Sequence, residues 1–228
     1  MITSVIFNFI MVINMLSTET LVTFISISTF LCFLPGPDNL LVLSQSAING
    51  YKSGILITLG LCIGLVMHTS LVSLGIAAII QANTVAFEII RLFGVFYLSY
   101  LAWGAFKAKP IHLKNNTNSF NDTKKLIKKG LIMNLSNPKV IIFFLAFLPQ
   151  FTTDNTIAIP VSLQLLYLGL IFVVIAFIVF TIISYLSGFL NKTISSKPSL
   201  QTILNKITCL IFIALAINLC IDQRLPIV

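Results

Sequence analysis

Apolar runs long enough to cross a membrane alternate with short polar gaps along the chain. They lie at about 17–48, 55–80, 84–106, 130–150, 161–187 and 203–221. Each supplies roughly the 20 apolar residues that a helix needs to span hydrocarbon. The longest polar stretch, 107–129, separates the third run from the fourth. Its lysines flank an Asn/Thr/Ser-rich middle, which predicts a solvated loop between two halves, 17–106 and 130–228. Three crossings in the first half force the second to enter the membrane the opposite way round. The pattern predicts an all-α integral membrane protein: six transmembrane helices as two inverted three-helix repeats.

The start of the chain fits this scheme less well. MITSVIFNFIMVIN (1–14) is apolar and uncharged, without the basic start of a signal peptide. It also sits too close to the next run for a separate span. Met15 begins a more natural helix, with Ser17 or Thr18 as N-cap and Glu19 near the positive helix end. Residues 1–16 are read as an N-terminal extension or a mis-assigned start.

Two runs are interrupted near their middles. Leu34-Pro35-Gly36-Pro37-Asp38-Asn39 breaks the first, and Asn134, Ser136, Asn137, Pro138 and Lys139 break the fourth. Two prolines remove two backbone donors, and backbone groups freed within lipid must be buried in protein or line a polar cavity. The two runs are the first helices of their halves. Interrupted helices at corresponding positions of inverted halves point to the binding site of a secondary transporter.

Composition narrows the class. Hydrophobic residues make up 57 %, charged residues 9 %, and mean hydropathy is +1.04. So few charges cannot coat a water-facing surface, which excludes a soluble enzyme and a disordered chain. The net charge of +8 does not signal nucleic-acid binding, because the basic residues fall in gaps between apolar runs instead of on one solvated face. Lys52, the 107–129 loop and the group Lys192, Lys197 and Lys206 hold 11 of the 14 basic residues, while gaps 81–85 and 151–160 hold none. The positive-inside rule then puts the three basic gaps in the cytoplasm and both termini on the periplasmic or extracellular side. Cys32, Cys62, Cys209 and Cys220 lie in apolar runs with no CxxC pair, so they read as packing residues, and no metal or cofactor motif is present.

Chemistry concentrates at the breaks. Asp38 and Lys139 each follow a proline, carry opposite charge and sit near mid-membrane. A lone charge there costs about 2.5–3.5 kcal/mol on insertion scales, so each needs a partner or water. They can face one cavity and bind the amino and carboxylate groups of a zwitterion. Equally, they can pair only with each other and hold the halves together. His68, midway along the second run, is a candidate proton relay or an interhelical hydrogen-bond donor. Gly60 and Gly64 form a GxxxG contact, either within the chain or in a homodimer. Glu88 and Arg91 can pair along one helix face, and Tyr97 is a candidate cavity residue ahead of the interfacial Tyr100 and Trp103.

Three stretches carry a family resemblance: LPGPDNLLVLSQSAINGYKSGILITLG (34–60), GVFYLSYLAW (94–103) and KKGLIMNLSNPKVIIFFLAFLPQF (128–151). In this order and spacing they resemble the signatures of LysE/RhtB amino-acid exporters. The resemblance implies six helices in a bacterial inner membrane and efflux of amino acids or close derivatives, driven by proton antiport. It implies functional roles for Pro35, Gly36, Pro37 and Asn39, and for Asn137, Pro138 and Lys139. Asp38 stands where family members vary. The chain departs from the pattern in having no acidic residue within 161–187, Ala102 in place of a common glycine, and no glycine near Thr208-Cys209.

The expected partners are a small-molecule substrate, protons and the lipid bilayer, with no nucleic acid. Absence of a P-loop argues against ATP hydrolysis by this chain. A membrane-embedded enzyme is the alternative, but HExxH is lacking and His68 and His112 are the only histidines. A non-transporting assembly protein would not require paired breaks.

Overall fold

The computed structural model describes residues 17–77, 84–108, 122–152, 160–196 and 198–221. The 1–16 extension and most of the central loop, including His112, lie outside them. Every regular element described is helical. In chain order these are α1 (Thr18–Phe33), α2 (Pro37–Asn49), α3 (Tyr51–Leu71), α4 (Thr84–Lys107), α5 (Thr123–Leu135), α6 (Pro138–Ile142), α7 (Val161–Ser196) and α8 (Pro198–Ile221).

Helix starts follow local chemistry. Ser17 caps α1 by accepting from the Thr20 amide at 3.1 Å, and Glu19 lies in the first turn. Pro37 and Pro138 open α2 and α6, where a missing N–H costs nothing. Gly50 alone joins α2 to α3 with φ 84°, a left-handed conformation that only glycine adopts without strain. Helix α5 begins earlier than the apolar run that suggested it. Asp122 accepts from the amides of Lys124 and Lys125 at 3.0 and 3.4 Å, so the lysines at 124–129 lie on helical turns and not in a loop. A cap was able to nucleate helix where charge had suggested coil.

Among the described residues, four helices, including Tyr51–Gly75 and Val161–Ser187, are individually long and apolar enough to cross a membrane. The two interrupted runs form bent pairs: α1 and α2 meet at 56°, and α5 meets Pro138–Phe151 at 53°. Counting each pair as one span gives six. Beyond α6 the chain widens into a π-helical turn, Phe143–Phe147, and then tightens into a 3₁₀ turn, Leu148–Phe151. Phe24, Phe143, Phe144, Phe147, Phe151 and Phe172 pack there, with centroids 4.6 Å apart for Phe143 and Phe172.

The helices do not separate into two half-molecules. Helix α3 packs along α5, and α4 along α8, each pair drawn from different halves, while α7 rests on α1, α2 and α3. Glycines set the α3–α5 distance. A Cβ on Gly60 would meet the Ile127 carbonyl, one on Gly130 the Ile57 carbonyl, and one on Gly64 the Asn134 side chain. The GxxxG pair thus serves a contact within the chain. Buried Thr58, Thr69 and Ser184 return their hydroxyls to carbonyls four residues earlier, which satisfies these three side chains within their own helices. Outward positions of α4, including Phe93, Phe96 and Phe106, are exposed and apolar, as a lipid-facing surface requires.

Candidate functional site at the two helix breaks

Breaking α1 from α2 strands the carbonyls at the end of α1. Pro35 and Pro37 have no N–H to give the carbonyls of Leu31 and Phe33, four positions before them. Side chains take over. Asn39 Nδ2 donates to the Cys32 carbonyl at 2.6 Å. Lys139 reaches across from α6, and its Nζ donates to the carbonyls of Leu31 and Leu34 at 3.1 and 3.3 Å. An ammonium thus lies at the negative end of the α1 dipole, where a cation is favoured.

The second break is tied to the first in turn, through Asp38 and Asn134. Asn137 is the N-cap of α6, its Oδ1 accepting from the Lys139 amide at 3.1 Å. Asp38 occupies the first turn of α2, near that helix's positive end. Asn134 Nδ2, from the last turn of α5, donates to Asp38 Oδ2 at 3.2 Å. The Asn137 amide stands beside the same carboxylate without closing a hydrogen bond. Every polar member is buried: Asp38 is 2 % exposed, Lys139 8 %, and Asn134 0 %.

The structure brings Asp38 and Lys139 to one place but does not pair them. Among the described residues, the ion pairs join Glu88 to Arg91 and Asp122 to Lys125. Lys139 spends its protons on backbone carbonyls, and Asp38 engages an amide. The two charges stitch the halves together through these separate bonds. Asp38 Oδ1, Asn39 Oδ1, Asn134 Oδ1 and His68 Nε2 are buried and make no hydrogen bond. Each such atom in a dry interior costs about 1–3 kcal/mol, so this cluster is expensive to maintain for structure alone.

A small cavity lies at the two breaks, lined by Leu31, Cys32, Asp38, Leu65, Asn134, Lys139, Val140, Phe172 and Phe180. It has room for about one water molecule. Polar groups of the breaks form one side, and aromatic and aliphatic groups of α3, α6 and α7 the other.

The remaining candidates fall at different distances from it. His68 is buried on α3 with its ring centroid 5.7 Å from that of Phe144, and lies close to Asp38 and the Asn134 backbone. Pro37 and Pro138 are exposed, and Pro35 and Gly36 half-buried; they shape the backbone that presents the residues beside them. Tyr97 is half-buried on α4 against Tyr100, with centroids 5.7 Å apart, and does not line the cavity at the breaks. Asn134 is part of the polar interruption in the fourth run, yet sequence reasoning had left it out of the site. Its amide becomes a site group only because Gly64 lets α5 approach α3. Phe172 and Phe180 gave no signal within the unbroken apolar stretch 170–180 of α7.

A multi-span helical protein with oppositely charged side chains buried at two helix breaks belongs with membrane transporters. The profile of LysE type translocators matches residues 29–223, and the chain belongs to that family. It is a transporter and not an enzyme. Among curated relatives, the leucine efflux proteins of Salmonella typhimurium (strain LT2) and Salmonella typhi are 30 % identical over 203 residues, covering 86 % of this chain and 92 % of theirs. The leucine efflux protein of Enterobacter sp. (strain 638) is 29 % identical over 199 residues, covering 86 % and 93 %. No solved structure matches the chain.

Proposed function

We propose that this protein exports an apolar amino acid across a bacterial inner membrane by proton antiport, with alternating access at the breaks α1/α2 and α5/α6. The carrying observation is the buried set Asp38, Asn134 and Lys139, an acceptor, an amide donor and a cation gathered at the two helix breaks. A zwitterionic amino acid needs these groups, and Leu65, Val140, Phe172 and Phe180 give an apolar wall for its side chain. Leucine, named for the relatives, is the first substrate to test.

The cavity at the breaks is too small for any amino acid, so this geometry corresponds to a closed state. Opening requires the segments on either side of the breaks to move. The glycine-sealed α3–α5 seam crosses between the halves and resists their rocking as whole units. We place the motion in the broken helices, hinged at Leu34–Gly36 and Ser136–Asn137, against α3, α5 and α7. Asp38 and His68 are the groups available to carry a proton inward, since 161–187 holds no acid.

Counterflow in proteoliposomes tests the reading. Vesicles preloaded with each of the twenty amino acids are followed for labelled uptake, with and without an imposed pH gradient. Accumulation of leucine or a related amino acid, enhanced by the gradient, is the expected result. No flux for any amino acid, from folded and inserted protein, defeats the amino-acid assignment. Flux unaffected by the gradient removes proton coupling alone.

A further inference from the structure

We propose that the Leu31 and Leu34 carbonyls form the subsite for the substrate's ammonium group, and that Lys139 fills this subsite in the closed state as a tethered stand-in. The inference rests on the amino-acid reading above and assigns the substrate's two ends.

The cradle already holds an alkylammonium. Lys139 Nζ donates to both carbonyls at the negative end of α1, 3.1 and 3.3 Å away. A free amino acid offers the same –NH₃⁺ chemistry. The site has no spare volume beyond about one water, so a ligand must displace something to enter. The Leu31 carbonyl belongs to the last turn of α1 and that of Leu34 to its C-cap residue, whereas the lysine ammonium sits on a flexible four-carbon stem that can swing away. Gly36 supports this arrangement: a Cβ there would lie 3.2 Å from Nζ, so a side chain would crowd the cradle.

Exchange preserves the electrostatic balance. The substrate ammonium takes the carbonyls that Lys139 leaves, and the released Lys139 ammonium takes the substrate carboxylate. Asn134 Nδ2 is within the same pocket to share that carboxylate, and Asp38, whose Oδ1 has no hydrogen bond, remains to face the ammonium. One positive and one negative group enter together, and every displaced donor finds a new acceptor. An amine without a carboxylate would displace Lys139 and leave it unpaired in a membrane interior, which is costly. The cradle therefore makes the lysine a filter for zwitterions.

Removing the stand-in should invert the preference. Purified wild-type protein and Lys139→Ala are compared for thermal stabilisation by leucine, by isoamylamine (leucine without its carboxylate) and by isocaproate (leucine without its amine). Wild type should respond to leucine and to neither fragment. Lys139→Ala should respond to isoamylamine in preference to leucine, a reversal of about tenfold or more, the scale of a hydrogen bond to a charged group. If Lys139→Ala prefers leucine or ignores the amine, the assignment is overturned. Lys139→Met carries the same comparison should the alanine variant fail to accumulate. Should neither fold, equal stabilisation of wild type by isoamylamine and leucine refutes the filter. Absence of leucine counterflow in wild type would count against the export reading; the amine response of the variant tests the cradle separately.

Discussion

Asn39 shows how one side chain can replace a missing backbone bond. Its amide serves the Cys32 carbonyl at the end of α1, a group that neither lipid nor a following helical turn would satisfy. Asn39→Ala should therefore lower stability by about 1–3 kcal/mol. Thermal unfolding in detergent reads this, and Asn49→Ala, which removes only a part-buried bond to Gln45, should cost less. A different outcome is expected at Asp38. Asp38→Asn keeps the side-chain size and one acceptor oxygen for Asn134, so the protein should insert and fold. Transport should nevertheless fall about tenfold or more, because the charge that balances Lys139 and an incoming ammonium is gone. Counterflow normalised to inserted protein measures this; near-normal flux would make Asp38 a structural residue.

At the scale of elements, glycines decide which helices touch. Helices in lipid gain no hydrophobic drive toward one another, so close backbone packing is what holds α3 to α5. Gly60→Val and Gly130→Val each force a side chain into a carbonyl of the facing helix, and each should destabilise by about 1–3 kcal/mol. Gly104→Ala is the matched control, since a Cβ there meets nothing within 4 Å and alanine favours helix. It should be neutral or slightly stabilising on the same unfolding assay. Equal losses at all three positions would mean that the seam is not the constraint. The sequence motif identified close packing at Gly60 and Gly64 but left the partner open. Gly130, in a helix whose first turns read as a charged loop, carried no such signal.

On the scale of the whole molecule, the halves are interleaved. Helix α3 of the first half lies on α5 of the second, and α4 of the first on α8 of the second. The ends of the helices that carry lysines also gather: Asn205 Nδ2 donates to the Ala108 carbonyl at 3.1 Å, and Tyr51 stacks on Tyr185 at 4.7 Å. Coexpressed fragments parted between 108 and 122 should copurify, held by the α3–α5 and α4–α8 seams, and Gly60→Val should weaken their association. A single cysteine at Lys124, in a background with the native cysteines replaced, should be labelled by an impermeant thiol reagent only from the cytoplasmic face. Labelling from outside would invert the proposed topology.

The six apolar runs determined the membrane class and the multi-span helical architecture, and the prolines at the two breaks determined where the chain bends. These features are local: span length, proline's missing N–H and the cost of a mid-membrane charge can be read along the chain without knowing any neighbour. Partnership could not be read in this way. Sequence left Asp38 and Lys139 free to pair or to bind, and only the fold shows Lys139 capping α1 while Asn134 takes Asp38. Nor could the pattern reveal that Phe172 and Phe180 wall the cavity, since both lie in an unbroken apolar stretch of α7, 170–180, or that Tyr97 lies away from it. Those outcomes depend on how closely helices from different halves approach, and that distance is set across the molecule by glycines far apart in the chain.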